Sequence, residues 1–566
     1  MKKIVFVTHE YGDFKGHGGI ATYLSVLTES ILIRDKEIEV FVLSIEHDKK
    51  SKLLKCEKFH LIEIPKLSLR EQGLFVLEQL KVIKPDVVEL TDYLALGLES
   101  LAYRLKEKDS ILKDTTFVTV HHTASRECFE WNEQVPIRFA SSYIQECFSR
   151  ERSQMKLSDI NVAPSTFMNN YVSKNYNLKS VYTILHPLLL ERKKVNITEM
   201  EMYSLFKSSF VVNCISRIEG RKNQKLLIQQ FIKFIDETNA DAYLFLIGNS
   251  SYNSIAQEDF RYEIYESIPD NYKNRIKFWG FMNEKSKSIM LGVSDVSVLA
   301  SPFECLSLSM TESVMQDVPV MCSKYCGFSD YIESTYDEMV FDPFKEDDIK
   351  ETLKKYYYLN KERKLEITSF QSKGLVEGAN FENTVDKRLD LYFSIKNKKN
   401  ETPLNVNQFF IIDERNYMDI LPKEFDANNY CGIIVDFYFD KKNALNSLVS
   451  IFCQCIHYFS EGEIICFGGE RVINHYINAL LDRIPFVVIG MPKIKNKINM
   501  RVIDLLDGIN SSDDVFNLPH GFIKDELVEN ENKNFEKICR CREDFCKKLI
   551  SRAFFNENKI NLEGLL

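Results

Sequence analysis

Nowhere in the 566 residues is there an apolar run approaching the roughly 18 residues that a membrane-spanning helix needs. The opening MKKIVFVTHEYG carries two lysines, but its apolar run is five residues long before His9 and Glu10, too short for the core of a secretory signal. Basic residues are not in excess either. Lys and Arg number 73 against 82 Asp and Glu, and the net charge of −9 argues against broad nucleic-acid binding. Cysteine is not organised. The 14 cysteines are scattered, and the cluster Cys539, Cys541, Cys546 has no companion cluster at zinc spacing. They read as reduced thiols in a cytosolic protein. There is no GxGxxG fingerprint, no internal repeat and no long low-complexity tract.

What is present suits a globular chain. Hydrophobic residues make up 45% and charged residues 27%, and the length predicts about three or four compact units. KKIVFVTHE reads as a buried strand, since Ile4 to Val7 are unbroken and β-branched or aromatic. The loop YGDFKGHGG follows. IATYLSVLTESILI then spaces Ile20, Tyr23, Leu24, Leu27 and Ile31 as one helix face, and EVFVLS is the next strand. Strand, glycine loop, helix, strand is a βαβ unit and predicts a parallel sheet. Further strands are expected at 85–90, 116–122 and 159–163. A second α/β rhythm starts at 208–218 and continues through AYLFLIG, RIKFWGF, VSVLASP and PVMCS. The reading is an N-terminal domain over 1–188, a second domain over 189–395 with a polar connection at 191–205, and a third α/β unit over 404–566. Two successive doubly wound domains leave a cleft between the C-terminal ends of their strands, where such sheets bind ligands.

Three stretches carry chemistry. Gly16, Gly18 and Gly19 precede a helix start, where free amides and the helix dipole attract a phosphate or a hydroxyl. A glycine turn there serves structure as readily. In SRIEGRKNQ, Arg217 ends a strand and Lys222 lies near the next helix start. A planar fork and a point charge suit a diphosphate, although Arg217, Arg221 and Lys222 also read as solvated loop charges. In SPFECLSLSMTE, Glu304 and Glu312 have seven residues between them, and a helix is expected from about Ser307. Backbone amides of Leu306, Ser307 and Leu308 would be free at that start. Each carboxylate can grip a vicinal diol. The plainer reading makes Glu304 a helix cap and Glu312 a solvent-facing residue.

With these motifs in order, the chain resembles family 4 of the glycosyltransferases, retaining enzymes of the two-Rossmann-domain fold called GT-B. GHGGIATYL is similar to that family's glycine loop, and KPDVVELTDY to a strand with an acidic or aromatic turn. TVHH carries a histidine after a strand, SRIEGRK resembles the Arg-to-Lys diphosphate pair, and SPFECLSLSMTES the Glu, seven residues, Glu signature. PVMCSKYCGFSDYI resembles the strand and glycine stretch that follows. The likeness covers about residues 1–395. It implies a nucleoside-diphosphate sugar donor, such as a UDP- or GDP-sugar, and a glycan, lipid-linked glycan or protein acceptor. Gly18 and Gly19 would then lie beside the donor diphosphate. His121 would touch the donor sugar, with His122 as its alternative. Arg217 and Lys222 would neutralise the leaving group, Glu304 would bind sugar hydroxyls, Glu312 the ribose, and the amides of Leu306, Ser307 and Leu308 the phosphates. Retention by front-face attack is implied. Without an Asp-x-Asp motif near these positions, neither a metal nor a separate cofactor is expected. The chain departs from the family at Cys305 and Leu306, at LHPLLL (185–190), and at Asp330, which stands in place of a glutamate.

The third unit, with strands expected at 408–412, 431–437, 463–467 and 485–489, is faintly similar to the opening of a family 2 glycosyltransferase. That family's aspartate metal site is not recognisable; Asp513-Asp514 matches it poorly. A docking or oligomerisation module, for a second copy or a partner transferase, is the expectation for 404–566. Lys493, Lys495 and Lys497 read as a solvated loop or as a contact to an anionic surface. A cytoplasmic location, with peripheral contact at the inner face of the membrane, follows. Two other functions share the fold: a non-catalytic subunit that positions a partner, and a sugar-nucleotide epimerase. The first commonly loses the Arg/Lys pair or a signature glutamate, all of which this chain keeps. The second needs an acid/base carboxylate pair in the first domain, and none stands out.

Overall fold

The structure is a computed structural model. It describes residues 2–394 with breaks at 13–17, 49–51, 107–109, 134–141, 177, 179, 189–204, 254–257 and 332–338, and four strand segments beyond 394. The first domain holds seven strands: β1 (Lys2–Tyr11), β2 (Ile38–His47), β3 (Phe59–Glu63), β4 (Val87–Thr91), β5 (Thr116–Val120), β6 (Ile160–Ala163) and β7 (Val181–Thr183). They pair in parallel in the order β3-β2-β1-β4-β5-β6-β7. The unbroken apolar run of β1 is explained by helices on both faces. Ile4 and Phe6 pack with Leu24, Leu27 and Ile31 of the helix Gly19–Arg34. Val5 and Val7 pack with Val76 and Leu80 of the helix Leu69–Ile83 on the other side.

The second domain repeats the plan with β8 (Phe210–Ile215), β9 (Ala242–Ile247), β12 (Ile276–Gly280), β13 (Val296–Leu299), β14 (Val320–Ser323) and β15 (Val340–Phe341), with a short ribbon of β10 (Tyr252–Asn253) and β11 (Glu258–Asp259) between β9 and β12. Its order is β12-β9-β8-β13-β14-β15, again parallel. In both sheets the order reverses beside the first strand, between β1 and β4 and between β8 and β13. The loops leaving those strands splay apart and open a crevice at their C-terminal ends.

Besides the short ribbon, three strands of the two main sheets were not expected from the sequence: β3, β7 and β15. Each is an edge strand. An edge strand pairs on one side only, so it does not need a long apolar run, and β7 is three residues with an exposed face. Beyond residue 394, β16 (Phe409–Asp413), β17 (Gly432–Asp436), β18 (Glu463–Phe467) and β19 (Phe486–Ile489) form a parallel sheet in chain order. These fall on the four expected strands. Lys493, Lys495, Lys497, Asp513, Asp514 and the cluster Cys539, Cys541, Cys546 lie outside the described residues, as does most of the 191–205 connection.

The chain does not stay with the second sheet up to residue 395. A turn at Glu382–Asp386 and the helix Lys387–Ser394 cross back, and Val385 and Tyr392 join the core of the first domain beside Ile4 and Phe6. Buried polar groups go with them. Glu89 on β4 is 1% exposed and accepts from the Tyr23 hydroxyl at 2.6 Å and from the Tyr392 hydroxyl. Arg388, fully buried, lies 3.6 Å from the same carboxylate. Burial pushes the Glu89 carboxyl up more strongly than Arg388 and the two tyrosines pull it down. Removing one side of such a pair strands the other. Arg388→Met is therefore expected to cost roughly 3–5 kcal/mol in denaturant unfolding, with Glu89→Gln added on top restoring most of it. A cost below about 1 kcal/mol for the single variant would mean that the crossing helix does not depend on this pair.

Candidate active site in the interdomain cleft

The second-domain part of the site stands where its sheet reverses. β13 ends at Leu299, and the chain runs buried through Ser301 and Phe303 to Glu304. Here the backbone pairs again: the Glu304 amide donates to the Tyr325 carbonyl at 3.1 Å, and its carbonyl accepts from the Gly327 amide at 2.8 Å. That bridge fixes a side chain only 6% exposed. On the neighbouring loop, after β8, a single turn at Gly220–Lys222 aims two cations at it. Arg221 Nη1 donates to Glu304 Oε2 at 3.1 Å, and Lys222 Nζ donates to the same oxygen. Arg221 Nη2 reaches Glu219 Oε1 at 2.9 Å. Glu219, Arg221, Lys222 and Glu304 thus form a buried knot of two cations and two carboxylates. Burial alone would push both carboxyls up. Lys222 and Arg221 outweigh it at Glu304, and Arg221 with Arg217 and Lys222 outweighs it at Glu219, so both sit below the ordinary range.

Arg217 is different. Its side chain is 64% exposed and its Nη2 lies 3.7 Å from Glu219 Oε2, so the guanidinium stands at the mouth of the knot. Burial holds His9, at the end of β1, below the usual histidine range; Glu10 and Glu46 oppose this, and the charge of Arg217 adds to it. Arg217 therefore acts on the first domain across the cleft. Arg221, which the sequence offered only as a loop charge, is among the most buried cations of the site and Arg217 the most exposed. A one-turn loop decides that division, and the order of residues in SRIEGRK does not reveal it.

The helix begins at Leu308, one residue later than expected, after Ser307 at φ 76°. Ser307 makes no side-chain cap and its hydroxyl pairs with Ser309 at 3.1 Å, so the first amides of Leu308–Met315 are not taken by a cap. Leu306 is buried against Leu185 and Ala379. Glu312 does not join the knot. Its Oε2 lies 2.6 Å from Lys287 Nζ on the helix Glu284–Gly292, and its side chain is 35% exposed. Glu304 does not cap the helix, and Glu312 is held by a cation rather than freely solvated.

Two first-domain expectations need correction. The helix start at Gly18 and Gly19 is not an open anion site. Glu10, on β1, places its carboxylate there, accepting from the Gly18 amide at 2.9 Å and the Ala21 amide at 3.2 Å. A Cβ at Gly18 would lie 2.8 Å from that carboxylate, so the glycine makes room for the chain's own cap. Gly19 still faces the second domain, 3.6 Å from Leu308 by the same measure. His121 is a core residue. It is fully buried, its Nε2 lies 3.0 Å from Asn161 Oδ1, and burial pushes it down to about 4. No ring surface is left for a sugar. His122 is 6% exposed, with its ring among Tyr23 and His186 at 5.0 and 4.9 Å. Its amide donates to Asp92 Oδ2 at 3.0 Å, and burial, with Arg388 nearby, brings the ring down to about 3.

Contacts between the domains close one wall of the cleft. The Arg221 amide donates to Asn132 Oδ1 at 2.9 Å, Ser165 Oγ to the Cys305 carbonyl at 2.8 Å, and the Thr166 amide to Asp330 Oδ2 at 2.5 Å. At Gly220 a Cβ would fall 2.1 Å from the Asn132 carbonyl, a position only glycine can hold. Glu10, Glu219, Arg221 and Asn132 were not legible as site residues; their roles come from long-range packing.

The buried histidine makes a pH prediction. His122 is held near 3 when folded, so the stability it contributes is fully present above about pH 6.5 and is lost as pH falls toward the folded value. His122→Gln removes this, so between about pH 7 and about pH 5 the parent should lose on the order of 2 kcal/mol more than the variant in denaturant titrations. Equal losses would contradict a neutral, buried His122.

The family described as glycosyl transferases group 1 matches residues 197–367. Among curated proteins, an uncharacterized glycosyltransferase of Bacillus subtilis (strain 168), YqgM, is 27% identical over 183 residues, 32% of this chain and 46% of that protein. The UDP-Gal:alpha-D-GlcNAc-diphosphoundecaprenol alpha-1,3-galactosyltransferase of Escherichia coli is 25% identical over 198 residues, 34% and 48% of the two chains. The chain thus spans about half the length of the curated relatives it matches. Among solved structures, sucrose-phosphate synthase of Thermosynechococcus elongatus superposes with a TM-score of 0.55 at 13% identity, covering 70% of this chain and 100% of that one. The N-terminal domain of Candida albicans trehalose-6-phosphate phosphatase gives 0.53 at 14%, covering 70% and 97%. These likenesses show the fold: residues up to 394 form a GT-B pair of Rossmann-like domains, and the group 1 glycosyl transferase pattern lies over the second of them.

Proposed function

We propose that the protein is a retaining glycosyltransferase that moves a sugar from a nucleoside-diphosphate sugar to a glycan, lipid-linked glycan or protein acceptor. One observation carries the reading: two cations converge on Glu304 at the reversal point of the second sheet, with a third, Arg217, exposed at the mouth. Breaking a sugar–diphosphate bond develops negative charge on the leaving oxygen. Fixed cations in a water-poor site stabilise that charge most where it develops. Arg217 and Lys222 supply it, while Arg221 holds Glu304 in place. Glu304 then presents its second oxygen to a sugar hydroxyl, and Glu312 grips the ribose with Lys287 beside it. The amides at Ser307 and Leu308 take phosphate oxygens. On the front-face course that the family resemblance implies, the acceptor attacks from the side of the departing diphosphate, which takes its proton. His122, rather than His121, is assigned to the donor sugar. The E. coli relative is named for a lipid-diphosphate acceptor, which favours that acceptor class and a place against the membrane surface; no described helix is long and apolar enough to cross it.

The test is a panel of UDP- and GDP-sugars incubated with the full chain, with release of free nucleoside diphosphate as the readout. One donor should be hydrolysed slowly. Arg217→Ala, a variant at an exposed side chain that leaves the fold intact, should lower that rate by roughly 10²–10³. Hydrolysis of no donor, or an unchanged rate in Arg217→Ala, would overturn the reading.

A further inference from the structure

β12 is the outer strand of the second sheet, so among the described residues one of its edges has no strand partner. A hollow of about 760 Å³ lies against it. Consecutive residues from both faces of β12 line this hollow, which therefore opens along the strand edge. The helix Phe260–Glu266 overhangs it with Tyr262 and Tyr265, which are 61% and 40% exposed, and Trp279 of β12 is 37% exposed. These rings are not loose. Tyr265 stands edge-on to Phe278 at 6.1 Å, and Trp279 edge-on to Phe245 at 5.7 Å. Tyr265 and Trp279 are thus braced from below and present their remaining surface outward.

Three cations line the hollow beside the rings: Arg261, Lys273 and Lys277. Arg261 and Lys277 make no ion pair among the described residues. Lys273 sits 4.9 Å over the Tyr265 ring and 2.9 Å from Asp270. The one carboxylate in the lining, Asp259, is spent on the Ser250 hydroxyl and the Arg261 amide. Three cations against one carboxylate in an aromatic lining is a local exception on a chain of net charge −9. Its shape selects an elongated ligand, its rings select flat C–H faces, and its cations select repeated negative charge.

We propose that this groove binds an extended anionic glycan chain, with Tyr262, Tyr265 and Trp279 stacking on sugar faces and Arg261, Lys273 and Lys277 taking its carboxylates or phosphodiesters. β12 ends at Gly280, whose carbonyl accepts from the Gly248 amide at the end of β9. That is the sheet end from which Arg217 and Glu304 also emerge. The groove therefore leads toward the cleft and gives a hold on the distal part of a chain whose tip enters it. Binding here does not depend on the transfer reaction.

The chain has two tryptophans, Trp131 and Trp279, so in a Trp131→Phe background the emission of Trp279 reports the groove alone. Oligomannuronate (carboxylate charge) and poly(glycerol phosphate) oligomers (phosphodiester charge) are titrated without nucleotide, beside neutral dextran oligomers. At least one anionic oligomer should quench saturably and dextran should not. Tyr262→Ala should weaken binding about tenfold, and Lys277→Gln should weaken it and flatten its salt dependence. Both variants should keep the parent rate of donor hydrolysis. Absence of saturable quenching by either oligomer, or parent-like binding by both variants, overturns the proposal. So does quenching only by phosphatidylglycerol vesicles or only by oligothymidylate, which would assign the face to a membrane or to nucleic acid.

Discussion

A carboxylate at position 304 can stand buried only because Arg221 and Lys222 reach it. Isolated in that environment it would take up a proton, and a neutral acid there would no longer anchor either cation. The knot therefore ties the loop after β8 to the loop after β13 at the point where the strand order reverses. Through the Arg221 amide and Asn132, it also ties the second domain to the first. Every other feature of the cleft is arranged around that fixed charge pattern. On the transferase reading, an arriving diphosphate competes with Glu304 for Lys222, and Arg217 meets it first because it is the cation left in solvent.

The two domains are joined twice. The contacts at Asn132, Ser165 and Thr166 hold one wall of the cleft together. The crossing helix Lys387–Ser394 holds the back, with Arg388 and Tyr392 closing on Glu89 and Tyr23. Tyr23 also stacks with His186 at 4.1 Å, at the point where the chain leaves the first domain. One buried polar cluster thus joins the first helix, β4, the exit from the first domain and the end of the second. Such a cluster is costly to dismantle piecemeal.

How much of this could be read in advance depends on what each residue's environment requires. Central strands such as β1, β8 and β13 are buried on both faces and announce themselves as apolar runs. The edges β3, β7 and β15 do not, because pairing on one side makes no such demand. Glu304, Lys222 and the helix start were legible through motif spacing, since neighbouring loops of a doubly wound sheet meet at a known point. The division of labour between Arg217 and Arg221 was not, because both follow the same strand and only a turn decides which faces inward. Glu10 looked like the end of a strand and proved to be the cap that fills the glycine-loop helix start. His121 and His122 have different neighbours as the chain leaves β5, Asn161 for one and Tyr23 with His186 for the other, and alternation alone could not say that both are buried.

The most direct measurement is a crystal structure of the full chain with a bound nucleoside diphosphate. The diphosphate should lie within about 3 Å of Arg217 and Lys222, at the Leu308 helix start, with the ribose hydroxyls on Glu312. A nucleotide bound elsewhere, with Arg217 still turned to solvent and Lys222 still closed on Glu304, would contradict a donor site at this knot.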